Sequence, residues 1–180
     1  MSRITLISAF KENELYKIKK CLENVNFKTC KVPFGIDDNQ RYELDNLPYH
    51  ITIFATDKEN QEEFIKLIKS IKTEKICLKV NQVKIMNGRN NSYVLYLGIE
   101  ENKSLKKLQR VFYKSFPKEH YNPNNFTFHI TLHIDKDFNR INDLQKEIIK
   151  RFEPFYMEFD QIDLFDYPGK KICSFELGKR

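Results

Sequence analysis

The chain has 180 residues, of which 41% are hydrophobic, so it can bury a sizeable core, and the composition excludes a disordered or disulfide-stapled class. Its 31 basic and 25 acidic residues leave a net charge of +6 without a run of five basic side chains, which implies mild attraction to phosphate-bearing ligands and excludes a basic nucleic-acid arm. No apolar run approaches the roughly 18 residues of a membrane span. The four cysteines form no Cys-x-x-Cys pair, and nothing reads as a signal peptide. The expectation is a cytoplasmic protein with reduced, mostly buried thiols and no membrane partner.

Residues 3–10 (RITLISAF) read as the first strand. A helical period then starts at Glu12, with Leu15, Ile18, Leu22 and Val25 on one face. Residues 26–46, with Pro33, Gly35 and the Asp37-Asp38-Asn39 cluster, read as a long loop. A strand is expected over 48–55. Thr56 and Glu59 then form a capping box for a helix that buries Phe64, Ile68 and Ile71. A long strand over 75–86 turns through Asn87-Gly88-Arg89-Asn90-Asn91 into a second over 92–99. Leu105, Leu108, Phe112 and Phe116 mark a third helix, which Pro117 ends. A polar loop over 117–126 leads to a strand over 127–134. Next come a helix over 140–152, a strand over 155–165, a Pro168-Gly169 turn and a last strand over 171–177. Strands and helices alternate with hairpins, which points to an α+β fold.

Two of these strands carry the same tripeptide, His50-Ile51-Thr52 and His129-Ile130-Thr131. Random placement of 4 His and 7 Thr in 180 positions predicts only about 0.16 His-x-Thr tripeptides. The motifs are offset by 79 residues, and at that offset the apolar pattern downstream repeats without a gap. Glu74 falls on Glu153 and Gln82 on Gln161; Ile76, Leu78 and Val80 fall on Phe155, Met157 and Phe159. This is an internal duplication, with repeats of about 3–88 and 91–177 expected as two lobes of one domain. Strand alternation places His and Thr at i and i+2 on one face. By the same rule Phe54 and His133 follow onto that face.

Two His-x-Thr motifs about 80 residues apart in a basic chain of this length resemble the two-histidine (2H) phosphoesterase superfamily. That superfamily includes RNA 2′,3′-cyclic phosphodiesterases and the bacterial "2′-5′ RNA ligase" proteins. The resemblance implies a duplicated two-lobed fold, with two antiparallel sheets facing a central cleft and helices outside. It implies His50 and His129 as paired proton carriers and Thr52 and Thr131 as hydroxyls that bind the phosphate. No cofactor is implied. The expected reaction is metal-independent opening of a 2′,3′-cyclic or 2′,5′-linked phosphodiester, on a nucleotide or short RNA, by a monomer. One neutral imidazole takes a proton from water; the other, protonated, gives one to the leaving ribose oxygen. His129 is read as base and His50 as acid, roles that near-symmetry allows to exchange. RNA end joining is the same chemistry reversed, and a non-catalytic nucleotide- or RNA-binding module is the third reading.

His129 and His133 stand at i and i+4, the spacing of two metal ligands on a helix. On a strand their Cα atoms lie about 13 Å apart, too far to share an ion, so no metal site is expected. His120 reads as a surface residue of the polar loop. Lys84, Arg89, Lys136 and Lys170 are unranked candidates for phosphate contact. Many RNA-ligase-like relatives continue the first motif as His-x-Thr-x-Arg, where this chain has Phe54, and the second runs into His133. Both are read as possible substrate-contacting residues at the cleft edge. The missing guanidinium predicts better turnover of small cyclic nucleotides than of long RNA, with hydrolysis dominating ligation.

Overall fold

The computed structural model describes residues 3–23, 25, 49–166 and 169–178. Within them the β-branched and aromatic runs become eight strands, and the apolar periods of three to four residues become four α-helices. In chain order these are β1 (Arg3–Ala9), α1 (Glu12–Cys21), β2 (Thr52–Asp57), α2 (Gln61–Ser70), β3 (Ile76–Asn87) and β4 (Tyr93–Ile99). There follow α3 (Lys103–Ser115), β5 (His129–Asp135), α4 (Phe138–Ile149), β6 (Phe155–Phe159), β7 (Gln161–Asp166) and β8 (Lys170–Glu176). The loop expected over 26–46, its Cys30 and the Pro168 half of the last turn lie outside the described residues.

All strand pairs are antiparallel. They form two sheets of four, ordered β2-β1-β7-β8 and β5-β4-β3-β6. The two lobes are therefore not the two halves of the sequence. The segment that repeats β3 is broken at Asp160: β6 pairs with β3 in the second sheet, and β7 leaves to pair with β1 in the first. One strand expected over 155–165 is thus two, and the exchange stitches the halves together. The expected boundary at 88–91 is only the β3–β4 turn.

The duplication sets the geometry of the fold. Leu78 and Met157, equivalent at the 79-residue offset, are Cα partners in the β3–β6 pair. Ile51 and Ile130, also equivalent, form an isolated antiparallel bridge between the two sheets. Two self-paired positions of this kind define a pseudo-twofold axis running through the core.

Helices cover the sheets with the faces their periodicity dictates. α3 buries Leu105, Leu108, Gln109 and Phe112 and packs on β2. α2 adds Phe64, whose ring lies 5.0 Å from that of Phe112. α4 buries Ile141, Leu144 and Ile148 against β3, β4 and β5, and α1 packs on β6. The buried Glu14 carboxylate ties α1 to the second sheet by accepting from the Glu158 amide at 3.0 Å and from Lys17 Nζ at 2.9 Å. Asn102 caps α3 through Leu105 N (2.9 Å), and Asp137 caps α4 through Asn139 N (2.9 Å). The capping box at Thr56 does not form. β2 runs on through Asp57, a 3₁₀ turn (Lys58–Asn60) follows, and Thr56 stays buried in the strand, accepting from Asn60 Nδ2 at 3.0 Å. Cys21 and Cys173 are half-buried and Cys77 is exposed, so the expectation of mostly buried thiols does not hold for them. Among the described residues no helix is long and apolar enough to cross a membrane.

Candidate active site

β2 and β5 are the edge strands of their sheets, and each carries or follows one His-x-Thr motif. The Ile51–Ile130 bridge joins these edges. Both isoleucines are fully buried, while His50, Thr52, His129 and Thr131, directed to the other side, are half-buried. Antiparallel register through the bridge sets His50 across from Thr131 and Thr52 across from His129. By that register and strand alternation the four positions belong to one face.

Ser8 at the end of β1 holds the first motif in place. Its amide donates to the Ile51 carbonyl at 2.9 Å, and its fully buried Oγ accepts from the Ile51 amide at 2.8 Å. His50 and Ile51 precede the strand proper, so this double contact substitutes for a ladder. Ser8→Ala strands the Ile51 N–H in a buried site, a cost of about 1–3 kcal/mol. The expected outcome is a lower melting temperature. An unchanged melting temperature would show that Ser8 does not carry the motif.

Strand alternation fails immediately after each motif. Along β1–β2, Leu6 faces Phe54 and Ile7 faces Thr52, leaving Ile53 as the extra residue of a β-bulge. Along β4–β5, Leu95 faces His133 and Tyr96 faces Thr131, leaving Leu132 extra. Ile53 and Leu132 stand at the 79-residue offset, so the bulge itself is duplicated. A bulge shifts the side-chain alternation by one residue and re-aims the side chains beyond it. Phe54 consequently turns to the helix side. It is fully buried, with ring centroids 4.9 Å from Tyr121, 5.8 Å from Phe112 and 6.1 Å from Phe64. Gln109 of α3 donates to the bulged Ile53 carbonyl at 3.4 Å. His133 turns the same way, 9% exposed, with Nε2 3.7 Å from Asp135 Oδ2; that carboxylate also meets Arg140 at 3.2 Å. Neither Phe54 nor His133 is placed to touch a substrate in the cleft, contrary to the expectation from strand alternation. His129 and His133 face opposite sides of β5, so they do not share an ion.

His129 is the better defined imidazole. Its Nδ1 lies 2.9 Å from the Thr127 carbonyl, an acceptor only, so Nδ1 carries the proton and the neutral ring keeps its lone pair on Nε2. Burial pushes its pKa below the ordinary histidine range, and the Thr127 carbonyl opposes this only in part. The ring edge meets Tyr96 at 5.3 Å. Gly98, the Cα partner of His129, packs closely on β3: a Cβ there would sit 3.2 Å from Gln82 Cβ. Lys84 pairs with Tyr96, which pairs with Thr131, so Lys84 lies on the motif face two strands away.

The segment after α3 supplies a rim that is neither uniformly polar nor merely superficial. A 3₁₀ turn (Glu119–Tyr121) buries Tyr121 to 4% exposure between Phe54 and Phe126. Lys118 anchors it to Asp57 at the end of β2, 2.5 Å away. The Tyr121 hydroxyl accepts from Arg3 Nη2, and the Arg3 guanidinium carbon lies 5.4 Å from the ring centre. His120 remains exposed with its ring 5.0 Å from Tyr121. Its pKa is pushed down by burial first, then by the positive charges of Arg89, Arg3 and His129. The structure also sorts the four candidate cations. Arg89 sits in the β3–β4 turn beyond the Asn87–Tyr93 pair, Lys84 lies on the motif face, Lys136 follows the far end of β5, and Lys170 opens β8. Arg3, Tyr121 and Tyr96 carry no sequence signal of their own. For His120 the one available hint is its place in the aromatic and proline-bearing segment leading into the second motif.

A family model described as the 2′-5′ RNA ligase superfamily matches residues 27–171. The fold is similar to that of E. coli LigT complexed with 3′-AMP, at 13% identity and a TM-score of 0.63 over 99% of each chain. It is equally similar to a protein described as a phosphoesterase, at 14% identity and a TM-score of 0.63 over 99% of each chain. Kluyveromyces marxianus Usb1 with uridine monophosphate follows at 12% identity and a TM-score of 0.57 over 98% of each chain. Likeness at such identities speaks for the fold alone. No curated protein matches the chain.

Proposed function

The chain belongs to the 2′-5′ RNA ligase superfamily, and from that premise we propose that it is a metal-independent phosphodiesterase opening 2′,3′-cyclic or 2′,5′-linked phosphates on nucleotides or short RNA. The observation that supports this reading is the Ile51–Ile130 bridge, which joins the two motifs at their central residues. His129 acts as base, because its Nε2 lone pair is exposed by the Nδ1–Thr127 contact and its lowered pKa keeps the ring neutral at neutral pH. His50 acts as acid. Water attacks phosphorus and a new P–O bond forms while its proton passes to His129 Nε2. The P–O bond to the ribose oxygen breaks, and His50 supplies that oxygen's proton. Thr52 and Thr131 donate hydrogen bonds to the non-bridging oxygens, where negative charge builds. The nucleotides bound by LigT and Usb1 in their structures fit a nucleotide substrate here.

The experiment is a panel of 2′,3′-cyclic mononucleotides, short RNA ending in a cyclic phosphate, and 2′,5′-oligoadenylate, incubated with pure protein with and without excess EDTA. Hydrolysis of at least one class, undiminished by EDTA, is expected. Loss on chelation and recovery with Zn²⁺ or Mn²⁺ would replace the two-imidazole mechanism by a metal-assisted one. Joined products on adding RNA with a 5′-hydroxyl end, in excess over hydrolysis, would reverse the assigned direction. No turnover of any member sinks the proposal.

The pH profile follows from the His129 environment. A base must be neutral, and burial lowers this pKa, so protonation sets in only at a pH below the usual histidine range. The acidic limb of kcat/KM is expected at that depressed position. An acidic limb at or above the ordinary histidine value would remove His129 from the role of base.

A further inference from the structure

We propose that the outer edge of β3, from Val83 to Asn87, is a docking site for an extended acidic peptide segment of a partner protein, which joins the second sheet as an added strand antiparallel to β3.

The edge follows from the strand register. β3 pairs with β4 as far as Asn87, but its pairs with β6 end at Val80. Successive residues of an antiparallel strand turn their N–H and C=O groups to opposite sides. Gly88 N donates to the Ser92 carbonyl at 2.7 Å, so Lys84 and Met86 bond toward β4, and Val83, Ile85 and Asn87 turn the other way. The Val83 carbonyl, which accepts from Gln145 Nε2 of α4 at 2.9 Å, agrees with that direction. Among the described residues no strand pairs with this side of β3 beyond Val80. Bare edges are ordinarily blocked by proline, by inward-pointing charge or by a covering element. Val83–Asn87 holds no proline, and its one charged side chain, Lys84, is exposed on the motif face.

The internal duplication provides a template for what such an edge takes. At the 79-residue offset Val83, Ile85 and Asn87 correspond to Ile162, Leu164 and Asp166 of β7. In the first sheet that side of β7 is filled: β8 runs antiparallel along it, with Phe175 opposite Ile162 and Cys173 opposite Leu164. Charge separates the two edges. Asp163 of β7 pairs with Lys171 of β8 at 2.7 Å, and the equivalent of Asp163 in β3 is Lys84. Among the described residues Lys84 has no carboxylate partner. A strand on β3 that repeats the pattern therefore carries a carboxylate where β8 carries Lys171.

A hollow beside the edge receives its apolar side chain. On the helix side Ile85, Asn87, Tyr93, Phe138, Asn142 and Gln145 border an open cavity of about 470 Å³. Phe138 is 47% exposed, with its ring 5.0 Å from that of Tyr93. A residue paired with Ile85 shares its face, so an apolar side chain there covers Ile85 and Phe138 while the neighbouring carboxylate meets Lys84. A second copy of this chain fits less well. Antiparallel self-pairing about Ile85 brings the two Lys84 side chains diagonally together, a like-charge contact.

The probe is a synthetic peptide copying Lys170–Glu176 with glutamate in place of both lysines and valine in place of the cysteine, beside the same peptide with its lysines kept. The acidic peptide should bind about tenfold or more tighter, the range of reversed cross-strand charge pairs. Lys84→Glu should invert that order, and Phe138→Ala should weaken the acidic peptide. N-methylation of the peptide amides that face β3 should abolish binding, because main-chain bonds carry the affinity in strand addition. Amide hydrogen exchange at Ile85 and Asn87 should slow on binding. If Phe138→Ala loses stability, Lys84→Glu, at an exposed position, carries the test. No saturable binding of the acidic peptide at about 1 mM, equal binding of the two peptides, or an order unmoved by Lys84→Glu overturns the proposal. Slow exchange of the same amides in the free monomer also overturns it, since the edge is then already covered. Dimerisation that slows them with rising protein concentration gives the edge to a second copy instead.

Discussion

His129→Ala is expected to lower kcat by about 10²–10⁴ with little change in melting temperature. The ring is half-buried on the open face of β5, so its removal leaves the core of Ile130 and Leu97 intact. What is lost is the Nε2 lone pair placed by the Thr127 contact. His50→Ala is expected to fall in the same range. The double variant should be scarcely worse than the poorer single, because acid and base act in one transition state. His129→Asn separates placement from proton transfer: an amide can donate to the Thr127 carbonyl but cannot take up a proton at neutral pH. It should be as inactive as His129→Ala. Activity within tenfold of the parent in any of these would remove that histidine from the mechanism.

The element order and the paired motifs were legible because both are local. A period of two or of three to four residues is written into a short window, and the helix faces built on Phe64, Leu108 and Ile148 could be placed without a partner in view. The duplication was legible too, since a constant 79-residue offset needs only the sequence. The bulges at Ile53 and Leu132 were not, because a bulge is a relation between strands: it depends on how β1 and β4 register against β2 and β5. That single residue decided the fate of Phe54 and His133. The break at Asp160 was hidden for the same reason, as β6 and β7 differ only in their partners. The rim was hidden by distance, with Arg3 and Tyr121 separated by 118 positions and no pattern linking them. The expected preference for small nucleotides rested on Phe54 standing where a guanidinium would face the cleft. With Phe54 in the core, that premise no longer holds.

Phe54→Ala is expected to destabilise the protein by about 3–5 kcal/mol, the cost of deleting a fully buried aromatic ring and leaving a cavity. For a chain of this length that is a fall in melting temperature of roughly 10 °C. The ring touches Phe64 of α2, Phe112 of α3 and Tyr121 of the rim, so its loss loosens the first sheet's contact with both helices at once. Phe54→Leu keeps most of the volume and should cost under about 1.5 kcal/mol. Below the melting temperature, both variants should bind a cyclic mononucleotide with nearly the parent KM, since the side chain points away from His50 and Thr52. A substrate-stacking role predicts the opposite pattern: a raised KM in Phe54→Leu at unchanged melting temperature. That outcome would mean the bulge at Ile53 does not turn the ring inward, and the alternation read from the sequence would stand.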